Sequence, residues 1–119
     1  GPPAGDVEHL RLLGARPVIT SRAPEAVEGA DVVYGDVWAS MGREAEAEAR
    51  RRAFEGFTVD TALLEVAGAG AVYLHCLPAH RGEEVTAEVV DGARSLVWQQ
   101  AENRLHAARG LLLFLVGGS

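Results

Sequence analysis

The chain has 119 residues, enough for one domain, and 48% of them are hydrophobic, enough to supply a core. Its formal charge of -6 argues against a nucleic-acid surface, because phosphate binding needs a basic face, although a local anion site stays open. One cysteine excludes an intrachain disulfide framework and suits a reducing compartment; no amino-terminal targeting pattern is present, and the longest apolar run, Leu111 to Val116, is far too short for a bilayer.

The chain opens on GPPAGD rather than on a Met, which reads as a surface turn or a cut edge and suggests a piece of a larger protein. Short β-branched runs then alternate with helical patterns, which predicts βα units around a parallel sheet. Val7 to Leu13 reads as a short helix ended by Gly14, Arg16 to Thr20 as a strand, and Pro24 to Val27 as a helical turn with Pro near its first position. Asp31 to Gly35 is the next strand. Arg43 to Phe54 is the strongest helix and Gly56 ends it; its Glu46/Arg50 and Glu48/Arg52 pairs have the favourable i,i+4 order, each worth roughly 0.2–0.5 kcal/mol, and predict a solvated face. Asp60 is placed to cap a helix from Thr61 to Ala67 that is predicted to bury Leu63, Leu64 and Val66. Ala71 to His75 and Ser95 to Gln99 are the third and fourth strands, and a final helix runs from about Glu102 to Val116. The glycines at Gly68 and Gly70 follow a helix and enter a strand, the reverse of a phosphate-cradling loop, so they predict a turn and no dinucleotide site. The fold class is therefore α/β, an open parallel sheet with helices on both faces.

Polar residues gather at three equivalent places. Strand 31–35 empties into DVWASMG (Asp36 to Gly42), strand 71–75 into CLPAHRGEE, and strand 95–99 into QAENRLH (Gln100 to His106). Ligands of open parallel sheets sit outside the carboxyl ends of the strands, so the three clusters are predicted to line one crevice. Within it, the segment HCLPAHRGEE (His75 to Glu84) admits three chemistries. A zinc site would use Cys76 with His75, His80 or His106, but only one thiol is present, no CxxC pair exists, and adjacent residues of an extended chain diverge. A nucleophilic Cys76 with a histidine base is the second, weakened by the placement of Cys76 after a strand rather than at a helix start. The third is a buried cysteine beside a polar turn. Asp36 reads equally as a helix cap, an ion-pair partner or a carboxylate for a ligand amine. Ser40 is placed to cap the charged helix, whose first N–H groups would receive a carboxylate well. Arg104 reads as a surface residue two places after Glu102 or as a donor aimed at an oxyanion.

Taken together, DVWASMG, HCLPAHRGEE and QAENRLHA resemble the carboxyl-terminal, ornithine-binding domain of the aspartate/ornithine carbamoyltransferase family, with GADVVYGDVW fitting the approach to its ornithine loop. The resemblance covers nearly the whole chain. HCLP separates it from the aspartate relatives, whose loop looks like HPLP, and Ser40, Met41 and Gly42 favour ornithine over putrescine or acetylornithine. The resemblance implies the Rossmann-like half of a transcarbamylase, incomplete at its amino-terminal edge. It also implies transfer of the carbamoyl group of carbamoyl phosphate to the δ-amine of L-ornithine, giving L-citrulline and phosphate in arginine biosynthesis. A relative acting on putrescine or an acylated ornithine, and a non-catalytic amino-acid-binding module, are the alternatives.

By position, the resemblance implies that Asp36 holds the ornithine α-amino group with help from Ser40, while the Met41 N–H receives the α-carboxylate. Cys76, as thiol or thiolate, lies by the δ-amine and the carbamoyl carbon as an orienting group. The Leu77 carbonyl accepts from the carbamoyl NH₂, turned inward by a cis Leu77-Pro78 peptide, and Arg104 donates to the carbamoyl oxygen. The resemblance implies no metal and no cofactor. His80 is left without an assigned role. The family's amino-terminal domain, with its Ser-Thr-Arg-Thr-Arg and His-Pro-x-Gln phosphate-binding segments, is missing, as is the first strand of the ornithine domain. The 119-residue chain alone is therefore expected to be inactive. Its greasy last helix, about 102–116, is expected to pack on that domain in a cytoplasmic homotrimer. Gly35 stands where Thr is common in the family, and is expected to loosen the loop.

Overall fold

The computed structural model describes residues 2–38 and 44–117, and of residues 44–48 the backbone alone. Its elements are α1 (Ala4–Leu12), α2 (Ala23–Val27), β1 (Val32–Gly35), α3 (Glu44–Ala53), α4 (Thr61–Ala67), β2 (Val72–His75), α5 (Ala87–Val90) and α6 (Val97–Gly117). β1 and β2 pair in parallel, with Val32 opposite Val72 and Gly35 opposite His75. That register puts both carboxyl ends level. Alternation along the strands buries Val33, Gly35, Tyr73 and His75 on one face and leaves Val32 and Tyr34 on the other.

The buried face packs on a core made by Leu63, Leu64 and Ala67 of α4, Val89 and Val90 of α5, and Val97 at the start of α6. α6 begins against β2, and its Gln100 reaches Tyr34 on the open face, so helices flank the sheet with one edge left open. Asp60 caps α4 as predicted, its Oδ1 accepting the Leu63 N–H at 2.7 Å. Loss of such a cap costs about 1 kcal/mol. The other end of α4 is closed by Arg94, which donates to the Gly68 carbonyl at 3.1 Å. α1 ends in a Schellman turn: the Gly14 N–H reaches the Arg11 carbonyl and the Ala15 N–H the Leu10 carbonyl, with Gly14 at φ 85°. The predicted turn at Gly68 and Gly70 is present, closed by the Ala71 N–H on the Gly68 carbonyl.

Three predicted features differ. Residues 16–20 form no strand. Pro17 has no N–H to give a ladder, and Val18 and Ile19 stay 84% and 57% exposed. Residues 95–99 give a single bridge, Tyr73 to Ser95, and then turn into α6. The Gln100 N–H already bonds the Leu96 carbonyl at 2.8 Å, and burial of Val97 and half-burial of Gln100 follow the helical i,i+3 spacing. On α4 it is Ala67, not Val66, that joins Leu63 and Leu64 in the core. Val66 lies about 100° around the helix from Ala67 and is 46% exposed. A short helix, α5, was not predicted.

Beyond Gln100 every described residue of α6 is exposed, including Leu111 to Val116 at 59% or more. No helix among the described residues is long and apolar enough to cross a membrane.

Candidate functional site

The level strand ends decide the site. Asp36 follows β1 and Cys76 follows β2, so the parallel register sets them side by side, with the Cys76 Sγ donating to Asp36 Oδ1 at 3.1 Å. The same Asp36 oxygen accepts the Val37 N–H at 2.8 Å. The bond from Cys76 and then that from Val37 hold the Asp36 carboxyl below the usual carboxylate range. Reciprocally, the bond to Asp36, with burial adding, raises the Cys76 thiol above its usual range. Cys76 is therefore a thiol at neutral pH, not a thiolate. A nucleophilic cysteine needs the opposite field, an electropositive one.

This has a measurable consequence. Alkylation of Cys76 by iodoacetamide, followed on its own peptide by mass spectrometry, is expected to reach half its limiting rate at a pH above the ordinary thiol value. Asp36→Asn is expected to shift that midpoint downward, because the carboxylate that holds the proton on sulfur is gone. A wild-type midpoint at or below about 7 would mark an activated thiolate instead.

An open cleft of about 690 Å³ lies beside this pair, lined by Tyr34, His75, Cys76, Gln100, Asn103 and Arg104 among others. Gln100 builds its back wall. Its Oε1 accepts the His75 backbone N–H at 3.0 Å and its Nε2 donates to the Tyr34 hydroxyl at 3.0 Å, so the first turn of α6 is tied to the ends of both strands. Arg104 stands one helical turn further on and shares that face of α6. The third cluster thus joins the crevice from the start of a helix, not from the end of a strand.

After Cys76 the chain makes a tight turn. Leu77 has φ 58° and the Leu77-Pro78 peptide is cis. The Leu77 N–H donates to His75 Nδ1 at 2.8 Å. Further along, Arg81 clasps Asp91 through two bonds of 2.8 and 2.7 Å, and Arg51 of α3 reaches Glu83 at 2.6 Å. Arg50 of α3 donates to the Trp38 carbonyl at 3.2 Å, and Trp38 stacks on Phe54. α3 is thereby joined to the loops after both strands, where the sequence pattern suggested only a solvated face.

Of the residues singled out from sequence, Cys76 and Arg104 line this cleft, Asp36 is bonded to Cys76 beside it, and Leu77 follows Cys76 in the turn. Ser40 and Met41 lie outside the described residues, as do the Glu46 and Glu48 side chains. His106 pairs instead with Glu102 along α6, at 3.6 Å. Among the described residues one group of side chains is close enough to share a metal, His80, Glu83 and Glu84, and Cys76 is not in it. Sequence reading did not single out Gln100, Tyr34 or Glu84. Gln100 opened a polar cluster, which is a signal; nothing in the spacing marked Glu84 as 2% exposed.

Residues 7–115 match a protein family described as aspartate/ornithine carbamoyltransferase, Asp/Orn binding domain. The ornithine carbamoyltransferase of Sorangium cellulosum is 55% identical over 116 residues, which are 98% of this chain and 37% of that protein. The solved structure of ornithine carbamoyltransferase from Thermus thermophilus is similar at a TM-score of 0.82 and 43% identity, over 97% of this chain and 36% of that one. The anabolic ornithine carbamoyltransferase from Campylobacter jejuni is similar at a TM-score of 0.84 and 38% identity, over 95% of this chain and 37% of that one. The chain spans little more than a third of the length of such relatives.

Proposed function

The chain belongs to the aspartate/ornithine carbamoyltransferase family, and from that premise we propose that the protein carrying it transfers a carbamoyl group from carbamoyl phosphate to the δ-amine of L-ornithine. The products are L-citrulline and phosphate. The observation that carries this reading is the Asp36–Cys76 pair at 3.1 Å, whose cysteine lines the same cleft as Arg104.

The reaction needs three things, and this chain's residues suit each. The neutral δ-amine attacks the carbamoyl carbon, so something must aim its lone pair; the Cys76 thiol, fixed by Asp36, is placed to orient it. Negative charge then grows on the carbamoyl oxygen before the carbon–oxygen bond to phosphate breaks; phosphate leaves with the electron pair and takes the proton that the attacking amine gives up. Arg104 meets that charge where it develops, which stabilises the transition state more than the ground state. The carbamoyl NH₂ needs an acceptor, and the Leu77 carbonyl is the candidate. Asp36, held ionised, is also suited to the ornithine α-ammonium group, with Ser40 and the Met41 N–H as the proposed partners at the amino-acid end.

Carbamoyl phosphate also needs a phosphate-binding domain, on which the apolar outer half of α6 is proposed to dock. Covering Leu111 to Val116 removes an exposed apolar strip of the kind that otherwise invites association. The intact enzyme is proposed to be a cytoplasmic homotrimer.

The test is product formation by the intact enzyme from carbamoyl phosphate and, in turn, L-ornithine, putrescine and N-acetylornithine. Citrulline from ornithine at a kcat/KM far above the other two is the expected result. Preference for putrescine would overturn the roles given to Asp36 and Met41. Binding of L-ornithine with no transfer to any amine would favour an amino-acid-binding module.

A further inference from the structure

Behind the cleft lies a pair of ionisable groups that the proposed chemistry leaves unused. His75 is 1% exposed and Glu84 is 2% exposed. A buried carboxylate is costly unless donors surround it, so its partners identify what it is for. His75 Nε2 stands 3.4 Å from Glu84 Oε1, a close approach that forms no hydrogen bond among the described residues. The other ring nitrogen, Nδ1, accepts the Leu77 N–H. A nitrogen that accepts an N–H bond carries no proton, so the ring proton sits on Nε2 and faces the carboxylate. The same Glu84 Oε1 accepts the His80 backbone N–H at 2.5 Å. Among the described residues Glu84 Oε2 is buried without a hydrogen-bond partner, with His80 Nδ1 3.6 Å away.

One carboxylate therefore reaches both flanks of the turn at 76–79. That turn contains Leu77 at φ 58°, a conformation that a side chain bearing Cβ keeps only where its surroundings impose it. Glu84 can impose it because its own backbone is anchored in the core. Its carbonyl accepts the Val59 N–H at 2.8 Å, next to fully buried Val85.

We propose that Glu84 is a positioning residue that acts as an acceptor, not as a charge. It accepts the His80 amide and sets an oxygen beside the Nε2 side of His75, whose Nδ1 takes the Leu77 N–H, and so braces the turn that carries Cys76 at the cleft and Leu77 beside it. This rests on the carbamoyl-transfer reading and extends it to the residue that shapes its central turn.

The role separates two substitutions of similar size. Glu84→Gln keeps an acceptor oxygen at the Oε1 position and is expected to stay within about threefold of wild-type kcat in the intact enzyme. Glu84→Leu removes the acceptor, releases Leu77, and is expected to lower kcat by roughly tenfold or more with little change in the KM for L-ornithine, as a misplaced reacting group does. Wild-type kinetics for Glu84→Leu would overturn the proposal, and so would a Glu84→Gln variant as impaired as Glu84→Leu. A second readout does not depend on any variant folding. Histidine-selective ¹⁵N NMR of the wild-type intact enzyme at neutral pH should find Nδ1 of His75 unprotonated; a proton on Nδ1 would end the proposal. If the intact enzyme transfers carbamoyl to no amine, the functional reading fails, and the tautomer still decides how the turn is held.

Discussion

Replacing Arg104 with alanine is expected to lower the kcat of the intact enzyme by about 10²–10³-fold, the usual cost of deleting one donor to a developing oxyanion. The KM for L-ornithine is expected to change little, because Arg104 is proposed to contact the carbamoyl oxygen and not the amino acid. The size of the effect follows from rigidity as well as charge. Arg104 rides on α6 one turn past Gln100, whose side chain is bonded to the β2 end and to Tyr34 of β1. The Arg104 backbone is thus carried by a helix whose first turn is already fixed against the sheet. Arg104→Lys retains the charge without the planar fork and should recover only part of the loss. Steady-state kinetics in both substrates check this. A raised KM for carbamoyl phosphate with kcat unchanged would assign Arg104 to ground-state binding and remove it from the catalytic step.

The second large effect is expected at Gly35. A Cβ there would stand 2.3 Å from the Tyr73 hydroxyl and 3.0 Å from His75 Cδ2. Tyr73 is fully buried, and its hydroxyl has no hydrogen-bond partner among the described residues. Burial, with Glu84 adding to it, raises the Tyr73 phenol above its usual range, so the group packed against Gly35 is a neutral hydroxyl. Gly35→Ala therefore overpacks the core at the strand end and is expected to cost about 1–3 kcal/mol, seen as a lowered thermal midpoint. The companion change is informative. Tyr73→Phe deletes an orphaned buried hydroxyl and is expected to be neutral or stabilising alone, since no partner is left unpaired. In the Tyr73→Phe background Gly35→Ala should cost clearly less. Strict additivity in that double-mutant cycle would disprove the packing explanation. The glycine that read as a flexible substitute for threonine is instead the space into which Tyr73 fits.

That reversal illustrates where sequence stops being sufficient. The cap at Asp60, the glycine end at Gly14 and the turn at Gly68 were legible because each depends on near neighbours in the chain, and the two strands that pair were legible as β-branched runs although their pairing is long-range. Residues 16–20 and 95–99 looked equally strand-like. A strand, however, exists only with a partner ladder, and β-propensity cannot supply one. Residues 16–20 have no pairing, and at Leu96 the carbonyl takes a helical bond four residues on. Val66 failed for a simpler reason: an apolar residue in an amphipathic helix is placed by angle, and Ala67 held the better one.

The sequence by itself determined the family and the α/β class, and it singled out Asp36, Cys76, Leu77 and Arg104 as candidates, because motifs spaced along one chain carry that information without coordinates. Only the tertiary structure decided how they act on one another. It set Asp36 against Cys76 and so kept the sulfur protonated, brought Gln100 across to both strands, and buried Glu84 behind the turn that it brackets. Those outcomes depend on distances of a few ångströms between residues that lie far apart in sequence, such as the 40 positions between Asp36 and Cys76. Hydrogen bonds and desolvation respond to distance and burial, and those two quantities come into being only when the chain folds.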